Sequence, residues 1–172
     1  MKLVSGFCIV AAVVFLFIGC KKDEDATPGS LPGTWRMTDV HADNGVSTTT
    51  VLGQEISYTY SFHGKDYSTM TTFTENPNEF TSTGSYTAVT TINFQGQMTT
   101  TETPVDAASG TGTWSINGST FTQVFAGETA EFEILELSDS KFRLKQDLDV
   151  TFDDNGSLVH NTATVYSTFE KK

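Results

Sequence analysis

Three histidines are the first residues to examine for acid–base or metal chemistry. His41, His63 and His160 are isolated, and none has the spacing to another histidine or to a cysteine that zinc sites show. His63 falls out of phase with the aromatic residues that precede it, so its side chain should face solvent. The Gly-X-Ser-X-Gly elbow of serine hydrolases is missing as well. These patterns predict that the protein is not an enzyme and uses no cofactor.

An acid-rich segment near the C-terminus offers oxygen ligands of the kind that Ca²⁺ prefers. It lacks the twelve-residue pattern of a calcium-binding loop, and its Asp-Asn-Gly sequence is a turn signal in its own right. We therefore expect no metal here. The segment contains Asp147, Asp149, Asp153, Asp154 and Asn155.

Cys20 lies where an apolar run gives way abruptly to charges. The chain begins Met-Lys, and an apolar run of about 17 residues follows, which is typical of a secretory signal. The run is nearly long enough to span a membrane, so a retained anchor helix is the alternative. Cys8 lies inside this leader. Once the leader is removed, Cys20 is the only cysteine left, and no intramolecular disulfide can form.

The stretch Phe17-Ile18-Gly19-Cys20 resembles the lipobox of bacterial lipoproteins. The resemblance implies that the leader is cut before Cys20 and that Cys20 carries the lipid, since several acyl chains anchor a protein stably where one does not. The charges that follow are similar to the surface-export signal of Bacteroidetes lipoproteins. This implies an outer-membrane protein displayed at the cell surface, with the periplasmic face as the alternative. The export residues are Lys21, Lys22, Asp23, Glu24 and Asp25.

The bulk charge excludes one class of partner. The formal net charge is −11 and the isoelectric point is about 4.5. Nucleic-acid binding needs a basic stripe, which this chain lacks. Loose electrostatic docking on anionic lipid is disfavoured for the same reason. We therefore expect membrane attachment through the lipid on Cys20 only.

Three parts of the chain are predicted: a signal peptide over 1–19, the acylated cysteine and a flexible tether over 20–32, and one folded domain over 33–172. Pro28, Gly29 and Pro32 mark the tether, and we expect no residue in it to contribute to a core. The domain is rich in strand formers, with 29 threonines in the whole chain. Alternating patterns indicate nine or ten short strands, and Asn117-Gly118 is the strongest hairpin signal.

These features predict an all-β fold. We favour an antiparallel up-and-down barrel of 8–10 strands, because closure removes exposed edges, and an open sandwich is the alternative. The first strand is predicted over 34–41. A single long strand is predicted over 80–94.

Two Gly-Thr-Trp blocks point to a family. Gly33-Thr34-Trp35 is similar to the Gly-X-Trp signature of the lipocalin superfamily, and the block over 110–146, with Gly112 and Trp114, resembles the lipocalin-like domains of Bacteroidetes lipoproteins. The resemblance implies a lipocalin-like (calycin-type) barrel. In lipocalins the signature tryptophan is crossed by an arginine from a late strand, whereas alternation turns Arg143 away from the core. In residues 42–108 we identify no motif of this or another family.

Aromatic residues are the best candidates for binding. A small barrel is either filled by side chains or holds one small ligand. The residues that we expect to line such a pocket are Tyr58, Tyr60, Phe62, Tyr86 and Phe94. The expected function is binding of a small apolar or amphipathic ligand. The alternative is a filled barrel that serves as a surface module contacting a glycan or a protein.

Overall fold

The regular structure of the described residues consists of β-strands. The computed structural model describes residues 29–51, 53–107, 110–154 and 157–172, and eleven antiparallel strands run through them. The strands are β1 (Gly33–Val51), β2 (Gln54–Lys65), β3 (Met70–Thr74), β4 (Glu79–Thr83), β5 (Ser85–Phe94), β6 (Gln97–Asp106), β7 (Thr111–Asn117), β8 (Thr120–Phe125), β9 (Glu128–Leu137), β10 (Lys141–Asp154) and β11 (Ser157–Lys171).

Eight of the strands close into a barrel. Its ring order is β1-β3-β4-β7-β8-β9-β10-β11, and the pairing of β11 with β1 completes it. Because each strand of a ring has two neighbours, its backbone N–H and C=O groups can be satisfied within the sheet. The prediction of a closed antiparallel barrel of 8–10 strands is thus confirmed.

The remaining three strands extend the sheet beyond the barrel. The distal half of β1 leaves β3 and pairs instead with β2, which pairs with β5, which pairs with β6. The halves of β10 and β11 that lie farther from the barrel pair with each other, and this half of β11 also pairs with β1. We call this six-stranded extension, in the order β6-β5-β2-β1-β11-β10, the wing. It ends at two edges, β6 and the distal half of β10.

One face of the sheet continues from the barrel interior onto the wing. On β10, Phe142 and Leu144 are buried inside the barrel, and Leu148, in the same phase, is half-buried on the wing. Successive side chains of a strand point to opposite faces, so the pattern inside the barrel carries onto one face of the wing. β10 therefore turns one apolar face toward the barrel interior and onward along the wing.

Aromatic rings fill the barrel core at one end, which we call the plugged end. Phe142 lies 5.9 Å from Trp35, 5.3 Å from Phe121 and 6.3 Å from Phe73, measured between ring centroids. The contacts of Phe142 with Phe121 and Phe73 are edge-to-face, as expected for rings with a negative face and a positive rim, and the contact with Trp35 is tilted. The buried cluster consists of Leu31, Trp35, Phe73, Phe80, Phe121, Phe142 and Leu144.

The single strand predicted over 80–94 is wrong. Gly84 interrupts it with a φ of 82°, and a Cβ there would overlap the Ser68 carbonyl. Only glycine adopts such a conformation at this contact without strain. The break sends β4 into the barrel and β5 into the wing, so two consecutive strands end up with different partners.

The first strand extends well beyond His41, where the sequence pattern ended it. Asn44 adopts a φ of 58°, and the pairing of β1 shifts register on both sides of this point. Such a bulge bends the strand without ending it. Gly45 follows because the Tyr60 ring lies across it, where a Cβ would overlap the ring.

The folded part also begins before Gly33, the boundary expected from the sequence. Leu31 is only 2% exposed and belongs to the core cluster, and Gly29 donates a backbone hydrogen bond to the Leu137 carbonyl at 3.0 Å. The expectation that nothing in 21–32 joins a core is therefore wrong for Leu31. The described strands and the core cluster lie between residues 29 and 172.

Candidate functional site

The residues predicted for lipidation and export lie outside the described part of the chain. They are Cys20, Lys21, Lys22, Asp23, Glu24 and Asp25. Within the described ranges, no helix has the length and apolar character needed to cross a membrane.

Trp35 closes the plugged end of the barrel. Its side chain is fully buried, and Nε1 donates a hydrogen bond of 2.7 Å to the Leu31 carbonyl. Lys171 Nζ lies 5.1 Å from the ring centroid, a favourable distance for a cation on an aromatic face. Lys171, and not an arginine as the resemblance to lipocalins implied, is thus the cation over the Trp35 ring. Arg143 lies on the outer surface, 4.0 Å from Glu136, as alternation predicted.

Trp114 and Gly112 are also structural. Trp114 Nε1 donates to the carbonyls of Thr74 and Glu79 at 3.0 and 3.1 Å, which fastens β7 to the β3–β4 turn. Gly112 is buried beneath the Phe80 ring, and a Cβ at this position would lie within 3.0 Å of that ring. The second Gly-Thr-Trp block thus packs the barrel wall.

The five residues predicted to bind ligand divide between two places. Tyr86 lies at the end of the barrel opposite Trp35, where the wing begins. Tyr58, Tyr60, Phe62 and Phe94 lie on the wing, on the face that continues from the barrel interior. They do not line the barrel itself, because β2 and β5 pair outside the eight-stranded ring.

A cavity of about 270 Å³ opens at the end of the barrel opposite Trp35. Met37 of β1, Phe80 of β4, Phe125 of β8 and Phe169 of β11 form its apolar walls, and Ala107 and Tyr86 from the wing border it. The volume lies just below the range of about 300 to 1,000 Å³ that is usual for small-molecule sites. The barrel is therefore packed at one end and hollow at the other.

Polar groups line the same cavity. Thr69 is 6% exposed, and its Oγ1 is buried with no hydrogen-bond partner. The Thr71 and Ser82 hydroxyls bond each other at 2.9 Å, and Gln123 adds an amide. A buried polar atom without a hydrogen-bond partner destabilises the fold. Thr69 Oγ1 is therefore the natural place for a ligand or a water molecule to form a hydrogen bond.

Charged groups do not line the cavity. Of the ten described residues around it, none is acidic or basic. A charged ligand would lose its hydration there without gaining a counter-charge. The arrangement suits a small, uncharged, amphipathic molecule.

Two tyrosines connect the cavity to the wing. Tyr67 stacks on Tyr86 with ring centroids 6.0 Å apart, and its Oη accepts a hydrogen bond of 3.0 Å from the Val40 amide. Burial raises the pKa of the Tyr86 phenol, and its electrostatic interaction with Tyr67 raises it further. Burial is also the main cause that raises the pKa of Tyr67. Both phenols are therefore neutral donors at physiological pH.

Most of the cavity was not foreseen from the sequence. Met37 and Gln123 are ordinary strand residues and Thr69 directly precedes β3, and the chemistry of these three residues gives no local signal. Alternation on β8 places Gln123 in phase with Phe121 and Phe125, so its inward direction was readable. The meeting of these strands depends on long-range register.

A larger groove of about 450 Å³ lies outside the barrel, beside Asp43, Asp147 and Tyr166. Asp147 accepts a 2.7 Å hydrogen bond from Thr164 and pairs with Lys145 at 3.0 Å. The Thr164 bond first, and then Lys145, hold the pKa of Asp147 below its usual value. None of the buried unpartnered polar side-chain atoms of the described chain lies in this groove. We regard it as a solvated surface.

The histidines and acidic residues pair with one another. His41 Nδ1 lies 2.7 Å from Asp39, and His160 Nε2 lies 2.7 Å from Asp149, while His63 is exposed as expected. In the ranges that the structure describes, no group of three or more His, Cys, Asp or Glu residues is arranged to hold a metal ion.

Comparison with known families agrees with the architecture. The family model for the lipocalin-like domain matches residues 31–144, about two thirds of the chain and six of the eight strands of the barrel in full. No curated protein matches the chain. No solved structure matches it either. The eight-stranded barrel and the match together show that the chain belongs to the family of lipocalin-like domains.

Proposed function

We propose that this chain is a lipid-anchored outer-membrane protein, displayed at the cell surface, whose barrel binds a small amphipathic ligand. The observation that carries the binding proposal is the cavity of about 270 Å³ with the unpartnered Thr69 hydroxyl inside it. Aromatic walls favour an apolar body, and the hydroxyl favours one polar group on it. Binding rather than catalysis is proposed, because none of the described residues that line the cavity is a carboxylate, a histidine, a lysine or an activated nucleophile.

The ligand must be small or must project from the barrel. The cavity is at the lower limit for a small-molecule site. Its border with the wing at Tyr86 allows a longer ligand to continue along the aromatic face that contains Phe62 and Tyr60. A ligand of this length would contact both the cavity and the tyrosines that the sequence predicts to bind it.

Native mass spectrometry tests ligand binding. The chain from Lys21 to Lys172 is incubated with a lipid extract of cell envelopes, and its native and denatured masses are compared. We expect a small adduct that denaturation removes. Gln123→Phe should abolish the adduct by placing a ring in the cavity, while Val124→Phe, next to it but facing outward, should retain it. A bare native mass, or equal adducts on both variants, would contradict the proposal.

The anchor is tested by fractionation. Cys20→Ala should leave the protein unacylated and released from the membrane, because the lipid is the proposed attachment. Retention of the variant in the membrane fraction would favour the spanning-helix alternative.

Surface display is tested by protease shaving of intact cells. Replacing Lys22, Asp23 and Glu24 with neutral residues should protect the protein from the added protease. Unchanged digestion would show that these charges form only a spacer.

A further inference from the structure

Strand β6 forms a free edge of the wing. It pairs with β5 over all ten of its residues, from Gln97 to Asp106, without a bulge. No other described strand lies on its second side. Nine of its ten residues are exposed, and Met98 is 71% exposed. Its outward backbone groups are therefore available to another strand.

The turn before β6 determines which groups point outward. Gln95 and Gly96 have φ values of 50° and 82°, the two positive values of a type I′ turn, and Phe94 pairs with Gln97 across it. In such a turn the Gln97 N–H bonds back to the Phe94 carbonyl. Since direction alternates along a strand, the odd-numbered residues of β6 bond to β5 and the even-numbered residues point outward.

Pro104 agrees with this phase and limits the free edge. It is an even-numbered residue, and proline has no N–H, so it costs β6 no bond to β5. The outward pairing groups before it belong to Met98, Thr100 and Glu102. The turn ends this set on one side and Pro104 ends it on the other, so the set is symmetric about Thr100.

The β6 edge has little protection against pairing. The other edge of the wing, on β10, carries Asp147, Asp149 and Asp153, and charges of this kind discourage a second strand. On β6 the one charge among the outward groups, Glu102, is bonded to Lys65 at 2.8 Å. The stretch over 97–103 contains four threonines, and they favour strand structure.

We propose that β6 docks against β6 of a second copy of this chain, antiparallel and with the two-fold axis at Thr100. In this register Thr100 faces Thr100, Met98 faces Glu102 and Thr99 faces Thr101. Facing threonines stabilise a strand pair, and no like charges face each other. A two-fold axis through Thr100 places every outward group of one copy opposite an outward group of the other copy. The symmetric set therefore favours a second copy of this chain as the partner.

The dimer joins the two wings into one continuous antiparallel sheet. Only three residues on each copy supply backbone pairs, so association is weak and depends on concentration. Each copy carries a formal net charge of −11. Salt screens this repulsion, and added salt should therefore strengthen the dimer.

Disulfide trapping tests the register on the chain from Lys21 to Lys172, which contains no natural cysteine. Thr100→Cys brings two thiols together across an axis where Cα atoms lie about 5.5 Å apart, within disulfide range. Oxidation by air with catalytic copper should link two copies. Met98→Cys is the control, because its two copies lie about 13 Å apart in this register. Equal crosslinking of both variants, or of neither, would overturn the proposal.

Sedimentation velocity tests the association without a crosslink. Thr100→Pro removes the central outward N–H and should weaken the dimer about tenfold. Asp106→Pro is the control. It also introduces a proline at an even-numbered, outward position, but this position lies beyond Pro104 and outside the paired set, so the dimer should be unchanged. A wild-type chain that stays monomeric at millimolar concentration in high salt would refute the proposal. An equal loss in both variants would also refute it.

Discussion

Gly112→Ala should disturb the ligand cavity from outside it. Gly112 lies in the barrel wall beneath Phe80, and Phe80 is one of the cavity walls. An added Cβ would lie within 3.0 Å of the Phe80 ring and 2.6 Å from the Val124 carbonyl oxygen. The carbonyl belongs to the barrel sheet, in which β7 pairs with β8, so it has little room to move. The Phe80 ring can yield into the cavity that it borders, whereas the carbonyl contact is relieved only by a small shift of the backbone.

The expected loss of stability in Gly112→Ala follows from overpacking of the core. Extra methyl groups in a filled core typically destabilise by about 1 to 3 kcal/mol. We expect Gly112→Ala to lower the free energy of unfolding by an amount in this range and to weaken ligand binding at the same time. Chemical denaturation measures the first effect, and the native-mass adduct measures the second.

A double-mutant cycle separates this mechanism from a general backbone effect. Phe80→Leu removes the ring atoms that the new Cβ would meet, so Gly112→Ala should cost less in that background. Thr113→Ala, on the exposed outer face, is the control and should change stability by less than about 0.5 kcal/mol. Full additivity of the two changes, or an unaltered adduct in Gly112→Ala, would refute the reasoning.

Three further predictions concern the core, the plugged end and one carboxylate. Phe121→Ala, at a fully buried site, should cost about 3 to 5 kcal/mol in denaturation experiments, whereas Phe152→Ala, at a side chain 46% exposed, should cost about 1; equal losses would contradict the assigned core. Lys171→Met should cost about 0.5 to 1 kcal/mol by removing the cation over the plugged-end tryptophan, and an arginine there should restore it. Thr164→Val should raise the pKa of Asp147 in an NMR titration. Because that pKa is lowered in the folded state, the carboxylate stabilises the fold above its unfolded pKa and loses this effect as pH falls through the folded value; an unchanged titration would show that the bond contributes nothing.

Strand content and the barrel were predictable because they depend on local sequence patterns. Alternation in β10 identifies its inner face, and Asn117-Gly118 marks the hairpin between β7 and β8. The Gly-Thr-Trp block identified Trp35 as a signature residue, and alternation correctly turned Arg143 outward. Each of these conclusions needs only a residue and its near neighbours.

The wing and the cavity were not predictable in the same way. Gly84 reads as one more small residue inside a strand, yet its contact with Ser68 redirects the chain into a different part of the sheet. Tyr60 lies outside the barrel because β1, beyond its bulge, pairs with β2 and not with β3. Such pairing depends on the register between distant segments, which local alternation does not determine.

The place at which the chain enters the barrel determines how the protein would stand on a membrane. Gly29 and Leu31 join the fold beside Trp35. The nine Cα–Cα steps from Cys20 to Gly29 can reach at most about 30 Å. If Cys20 is the anchor, as proposed, the tether would enter the fold at the plugged end and would place that end, rather than the cavity, nearest the bilayer. The edge at β6 then stands at a similar height on every copy, and confinement to a plane raises the rate of encounters that a weak strand pairing needs.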